Sequence, residues 1–150
     1  SYIPYVIETS IGVDRMVLQV LSAGYQEEKL ENGEERTVLS IPAPLAPVKA
    51  AVLPLVKKDG LPEIAHRIKN TLRYDYNIQY DEKDSIGKRY RRQDAIGTPL
   101  CITIDHQSAE DGTVTVRDRD TMRQERVHIE AIPALVESKA GMRALLDKLA

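Results

Sequence analysis

The chain has 150 residues, which is enough for one domain with a substantial buried core. With 42% hydrophobic and 29% charged residues it has the composition of an ordinary soluble globular protein. The net charge of −2 excludes the strongly basic balance of many dedicated nucleic-acid binders, so any attraction to nucleic acid must come from a local patch. A single cysteine cannot form an intrachain disulfide, which favours a reducing, cytoplasmic compartment, and no segment is typical of a signal peptide or a membrane span.

The first part of the chain predicts a strand, a helix and a polar loop. Residues 2–10 are apolar and β-branched, which favours a strand. After Gly12, apolar residues recur at helical spacing, and Gly24 is a plausible end of that helix. Residues 26–36 are charged around an Asn-Gly pair, which predicts a solvated loop or hairpin tip.

A proline-rich segment divides the chain. Residues 37–41 predict a short strand, and three prolines follow between residues 42 and 47. We interpret this segment as a linker. The prediction is therefore a first region over residues 1–45 and a separate domain over 46–150.

The second region alternates between strand and helix patterns. We predict strands at 48–56, 77–82, 99–105, 113–121 and 123–129, and helices at 61–75, 85–97 and 130–149. Strands that alternate with helices pair in parallel, and the late hairpin adds antiparallel pairs. The predicted fold is a three-layer α/β domain with a mixed sheet flanked by helices.

The densest positive charge lies on the predicted helix 85–97. Arg89, Arg91 and Arg92 follow Lys88 with no acid before Asp94. This pattern favours either a solvated helix face or a patch that contacts phosphates.

The segment Arg117–Thr121 alternates arginine and aspartate. On a strand, Arg117 and Arg119 point to one face while Asp118 and Asp120 point to the other. Either the strand lies at an exposed edge, where arginine could contact phosphate or a base, or its charges pair across the sheet with the basic helix.

Nothing in the sequence suggests a complete catalytic or metal site. His66, His106 and His128 lack metal-ligand spacing, and Cys101 lies within an apolar strand, where a small core residue is expected. There is also no glycine-rich phosphate loop of the common kinds.

Four stretches resemble the C-terminal part of the α2-type glycyl-tRNA synthetases, which are class II enzymes. YVIETSIGVDR (5–15) resembles motif 3 of that class. LAPVKAAVLPLVKKDGLPEIA, YDEKDSIGKRYRRQDAIGTPLCITID and EDGTVTVRDRDTMRQERV resemble the anticodon-binding domain. The likeness covers nearly all of residues 2–137 and implies that fold and a role in recognising the anticodon of glycine tRNA.

The resemblance also implies roles for residues of motif 3. Arg15 matches the arginine that contacts the ATP phosphates, and Glu8 and Ser10 match positions that hold the ammonium of glycine. Thr9 departs from the pattern, because proline is usual there.

For the tRNA-binding surface we predict Arg89, Arg91, Arg92, Arg117, Arg119 and Thr121, from charge and position alone. The parent enzyme is expected to be a cytoplasmic homodimer that uses ATP with Mg²⁺. This chain lacks motifs 1 and 2 of the class, so we expect it to be a fragment that is monomeric and inactive by itself, with no cofactor, no metal and no membrane association.

An alternative is a non-catalytic interaction protein similar to the accessory subunit of a mitochondrial DNA polymerase. Glu8, Ser10 and Arg15 argue against it, because a protein that binds neither glycine nor ATP does not need all three.

Overall fold

The computed structural model describes residues 1–30 and 33–147. Its first helix, α1 (Val13–Gly24), ends at the predicted glycine. Residues 2–11 form neither helix nor strand, and their side chains are exposed. The predicted strand at 2–10 is therefore wrong. A strand needs a neighbour for its N–H and C=O groups, and no described residue pairs with this segment.

A two-stranded hairpin follows α1 directly. Strand β1 (Tyr25–Lys29) pairs antiparallel with β2 (Glu35–Leu39). The short strand predicted at 37–41 is confirmed in part. The hairpin-tip alternative for residues 26–36 is confirmed, although both strands of the hairpin extend into that segment. Asn32 of the predicted Asn-Gly pair lies outside the described residues. A Cβ atom at Gly24 would stand 2.7 Å from the Cγ2 atom of Ile41. Only glycine therefore lets the helix approach the end of the hairpin so closely.

The main sheet has five strands in the order β4-β3-β5-β6-β7. The central strand β3 pairs in parallel with both β4 and β5, and the last two strands are antiparallel. The strands are β3 (Ala50–Pro54), β4 (Ile78–Tyr80), β5 (Leu100–Ile104), β6 (Thr113–Asp118) and β7 (Gln124–His128). All five predicted strands of this region are present, and the predicted mixed sheet flanked by helices is confirmed.

Helices cover both faces of the sheet. They are α2 (Leu61–Leu72), α3 (Ile86–Ala95), α4 (His106–Asp111), α5 (Ile132–Ala140) and α6 (Met142–Leu146). Alternate strand residues such as Val52 and Ile102 pack with α2 and α5, whereas Ala51 and Cys101 pack with Ile86 and Tyr90 of α3. Because strand side chains alternate, one face holds the larger apolar core and the other faces α3.

Two helical predictions differ from the structure. The helix predicted over 130–149 is two helices, because the chain is extended at Gly141; Leu149, which that prediction included, lies outside the described residues. Helix α4 was not predicted. The Asp105 carboxylate accepts from the Ser108 amide at 3.0 Å and the Ser108 hydroxyl accepts from the Asp105 amide at 3.1 Å, which caps this short helix at its start.

Candidate nucleic-acid interface

An open groove of roughly 790 Å³ lies beside the first half of α3. The β1–β2 hairpin, α3 and the β6–β7 hairpin form its three sides. The lining residues that bear on function are Glu34 and Glu35 from the first side, Lys88, Tyr90 and Arg91 from the second, and Arg117, Met122 and Gln124 from the third. The groove thus combines cations, an aromatic ring and hydrogen-bonding groups on a concave surface.

Two cations of this groove are accessible. Lys88 is exposed and has no ion pair among the described residues. Arg91 donates to the Glu34 carboxylate at 3.0 Å, and its side chain is 34% exposed. Surface ion pairs of this kind contribute about 0–1 kcal/mol, so an anion could replace Glu34 at little cost.

An aromatic ring and a guanidinium lie together in the groove. The guanidinium carbon of Arg117 is 4.8 Å from the centroid of the Tyr90 ring, within the range of cation–π attraction. The Tyr90 hydroxyl and the Thr103 hydroxyl are 2.6 Å apart. Burial raises the pKa of Tyr90, which keeps its phenol neutral.

A buried carboxylate fixes that guanidinium. Both terminal nitrogens of Arg117 donate to Asp94, at 2.8 and 3.0 Å, and Nε of Arg36 donates to Asp94 at 2.9 Å. Asp94 is fully buried. The alternative in which strand charges pair with the basic helix is therefore confirmed for Arg117. The exposed-edge interpretation is wrong, because β6 lies between β5 and β7.

Two more predicted surface arginines are buried. Arg119 donates to the carbonyls of Gly97 and Ile41, each at 2.8 Å. Arg89 donates to the Pro54 carbonyl at 2.6 Å, and burial lowers its pKa. Arg89, Arg117 and Arg119 are thus buried, so their placement on an exposed face is wrong, although Arg117 still lines the groove. Backbone carbonyls and Asp94 bind most of their N–H groups inside the fold, and Asp120 accepts from Arg119 at 2.8 and 2.9 Å. Nε of Arg89 has no hydrogen-bond partner among the described residues.

The other predicted surface residues are accessible. Arg92 donates to Asp81 at 2.6 Å and to Asp84 at 2.8 Å, so it closes the loop before α3. The Thr121 hydroxyl donates to Asp118 at 3.0 Å and stabilises the β6–β7 turn. Contacts of Arg91, Arg92 and Thr121 with tRNA stay a prediction.

The three residues assigned to glycine and ATP lie apart from this groove. Glu8 and Ser10 are in the irregular segment before α1, and Arg15 is in its first turn. All three are exposed, and no hydrogen bond or ion pair joins them to one another in the described part of the chain. Their roles stay predictions from the resemblance.

Arg36 and Asp94 are central to the site but were not predicted. Arg36 alternates with buried Val38 on β2, so period-two spacing could have placed its side chain on the inner face. Asp94 is one turn after Tyr90 on the helix, on the side that meets the sheet. In a sequence these charges look like surface residues, because their partners are 58 and 23 positions away.

No helix within residues 1–30 and 33–147 has both the length and the apolar character needed to cross a bilayer. In the same residues, no three His, Cys, Asp or Glu side chains are grouped closely enough to hold a metal ion.

Solved structures show the same fold. The RNA-binding domain of threonyl-tRNA synthetase from Cryptosporidium parvum Iowa II matches 67% of this chain and 26% of its own, with a TM-score of 0.60 and 25% identity. Prolyl-tRNA synthetase from Cryptosporidium parvum, complexed with L-proline and AMP, matches 81% of this chain and 32% of its own, with a TM-score of 0.62 and 19% identity.

Curated relatives share more of the sequence. The glycine–tRNA ligases of Geobacillus kaustophilus and Lachnoclostridium phytofermentans are each 56% identical over 92% of this chain, and that of Borrelia hermsii is 51% identical over 92%. The chain spans about 30% of the length of these relatives. The resemblance to the C-terminal part of glycyl-tRNA synthetases is thus confirmed. Residues 49–139 also match the family described as the anticodon binding domain, and the chain belongs to that family.

Proposed function

We propose that this chain is the tRNA anticodon-recognition module of a glycine–tRNA ligase, and that the groove beside α3 receives unpaired anticodon bases. The observation that carries the proposal is the groove itself, which combines accessible Lys88 and Arg91 with the Tyr90 ring. Two of its three sides, α3 and the β6–β7 hairpin, lie within the family segment. Proteins recognise RNA loops by stacking splayed bases on aromatic or guanidinium planes and by contacting phosphates with cations.

Each kind of group has a separate role in this scheme. Lys88 and Arg91 contact phosphates and set the overall affinity. Bases enter beside Tyr90 and Arg117, where Gln124 and the Glu35 carboxylate offer hydrogen bonds to base edges. Phosphate contacts would hold the loop in register and base contacts would distinguish sequences.

The remaining assignments belong to the whole ligase. It joins glycine to its tRNA with ATP and Mg²⁺, in the cytoplasm and as a homodimer. Arg15 contacts the ATP phosphates, and Glu8 and Ser10 hold the glycine ammonium. This chain by itself is monomeric and does not charge tRNA, and charging above background with glycine, ATP and tRNA would contradict that.

The direct test is binding of a glycine-tRNA anticodon stem–loop to the chain. We expect Lys88→Ala/Arg91→Ala to weaken binding and to reduce the slope of log K against log salt by about 1.4, at about 0.7 per phosphate contact on a single strand. Arg67→Ala/Arg73→Ala is the matched control, because both arginines are exposed and lie across the sheet, Arg67 on α2 and Arg73 directly after its last residue. Equal loss in both variants would refute the groove as the RNA site.

A further inference from the structure

Arg36 connects all three sides of the groove, although it does not line it. Its NH1 donates to Glu28 of β1 at 2.8 Å and its Nε donates to Asp94 of α3 at 2.9 Å. Its NH2 donates to the backbone carbonyl of Arg119, which follows β6. The three nitrogens of this one guanidinium thus donate to three separate segments of the chain.

We propose that Arg36 is a positioning residue for the anticodon groove: it sets the spacing of the three sides and, through Asp94, the orientation of Arg117. This rests on the proposed function of the groove. Residue 36 lies before the family segment, which begins at residue 49, so the match itself gives it no role.

Burial makes the geometry specific. Arg36 is 1% exposed and Asp94 is 0% exposed. Water cannot replace their hydrogen bonds there, and a group left without a partner would cost far more than at the surface. A planar guanidinium offers donors in several fixed directions, whereas lysine has a single ammonium on a flexible stem. Lysine at position 36 cannot keep all three sides in place.

The effect reaches the bases through Asp94. That carboxylate accepts from Arg36 with Oδ2 and from Arg117 with both oxygens. Losing Arg36 frees Asp94 to shift, and Arg117 moves with it away from its place 4.8 Å from the Tyr90 ring. The cations that contact phosphates are not part of this chain of contacts.

The first measurement is RNA affinity for Arg36→Lys and Arg36→Met. We expect the Kd for the glycine anticodon stem–loop to rise about 2- to 30-fold, the range found for coupling through intermediate residues. The salt slope should stay as in the wild type, because Arg36 contacts no phosphate. Arg126→Met is the matched control: Arg126 donates to Asp105 at 2.5 and 3.0 Å and to Thr113 at 2.8 Å, outside the groove. It should bind as the wild type does.

The second measurement is hydrogen–deuterium exchange without RNA. In Arg36→Lys, exchange should rise in residues 25–39, 85–95 and 117–124 together, whereas Arg126→Met should leave these segments unchanged. If Arg36→Met fails to fold, Glu28→Gln loosens the hairpin side alone and should raise exchange mainly in 25–39.

The outcomes separate the two proposals. Faster exchange in 25–39 alone for Arg36→Lys, or unchanged RNA affinity beside a wild type that binds, would overturn the positioning role. A wild type without preference for the glycine anticodon would refute the proposed function instead, and the exchange pattern would still decide whether Arg36 holds the three sides together.

Discussion

Replacing Asp94 by asparagine should destabilise the protein strongly. The carboxylate is fully buried and accepts three N–H groups, from Arg36 at 2.9 Å and from Arg117 at 2.8 and 3.0 Å. Asparagine has nearly the same shape, but it removes the negative charge and turns an N–H₂ group toward a guanidinium. The variant would leave two buried cations beside a neutral group.

The expected loss follows from what a broken buried ion pair costs. Removing one partner of such a pair typically costs about 3–5 kcal/mol, because the other charge stays buried. A domain of this size has a free energy of unfolding of about 5–15 kcal/mol, so the variant should lose a large part of it. At about 2–4 °C per kcal/mol, Tm should fall by roughly 6–20 °C.

Urea unfolding at pH 7, followed by far-ultraviolet circular dichroism, measures this loss. The control is Asp84→Asn. The Asp84 side chain is 49% exposed and its carboxylate pairs with Arg92 at 2.8 Å, so this variant should change stability by less than about 1 kcal/mol. If Asp94→Asn costs no more than the control, the buried cluster does not stabilise the fold as argued.

Three other predictions test other parts of the structure. Burial raises the pKa of Cys101 to about 12, so its thiol should not react with Ellman's reagent at pH 8 until urea unfolds the protein, and rapid reaction of the native state would contradict its placement in the core. Gly24→Ala should cost about 1–3 kcal/mol in thermal unfolding, because its Cβ would stand 2.7 Å from another side chain, whereas Gly87→Ala meets nothing within 4 Å and should not destabilise. Hydrogen bonds from the Thr113 hydroxyl, first among several, lower the pKa of Asp111 to about 2, so its stabilising effect is complete above its ordinary pKa and is lost as the pH falls through about 2; an NMR titration with a midpoint near 4 would refute this.

The sequence predicted the sheet better than the site. Strands β3 and β5 are entirely buried, and their continuous apolar runs identify them without further context. Predicted helix 61–75 is present as α2, because its apolar spacing matches the face that meets the sheet. Local periodicity is sufficient where an element packs by hydrophobic contact alone.

The arginines were misplaced for a physical reason. A charged side chain is expected at the surface unless a buried partner accepts its hydrogen bonds. The partners of these arginines are distant in sequence, so the sequence alone did not reveal them. Arg89 is bound by the carbonyls of Pro54, the last residue of β3, and of Leu55, and Arg117 is bound by Asp94 on a helix. The predicted strand at 2–10 is wrong for a different reason. Its residues favour a strand, but no described neighbour pairs with them to complete a sheet.

Burial of these arginines changes what the groove can use to bind RNA. If Arg89, Arg91, Arg92, Arg117 and Arg119 all contacted phosphates, the salt slope would be about −3.5 on single-stranded RNA. With Arg91, Arg92 and the neighbouring Lys88 as the accessible cations, it should be about −2. The RNA affinity should therefore depend less steeply on salt than it would for an open basic face, so stacking and base hydrogen bonds must supply more of the affinity.

A net charge of −2 agrees with that balance, because the protein as a whole offers an RNA chain little long-range attraction. Titrations at several salt concentrations therefore distinguish a cationic surface from a groove that selects bases, and a slope steeper than about −3 would favour the cationic surface.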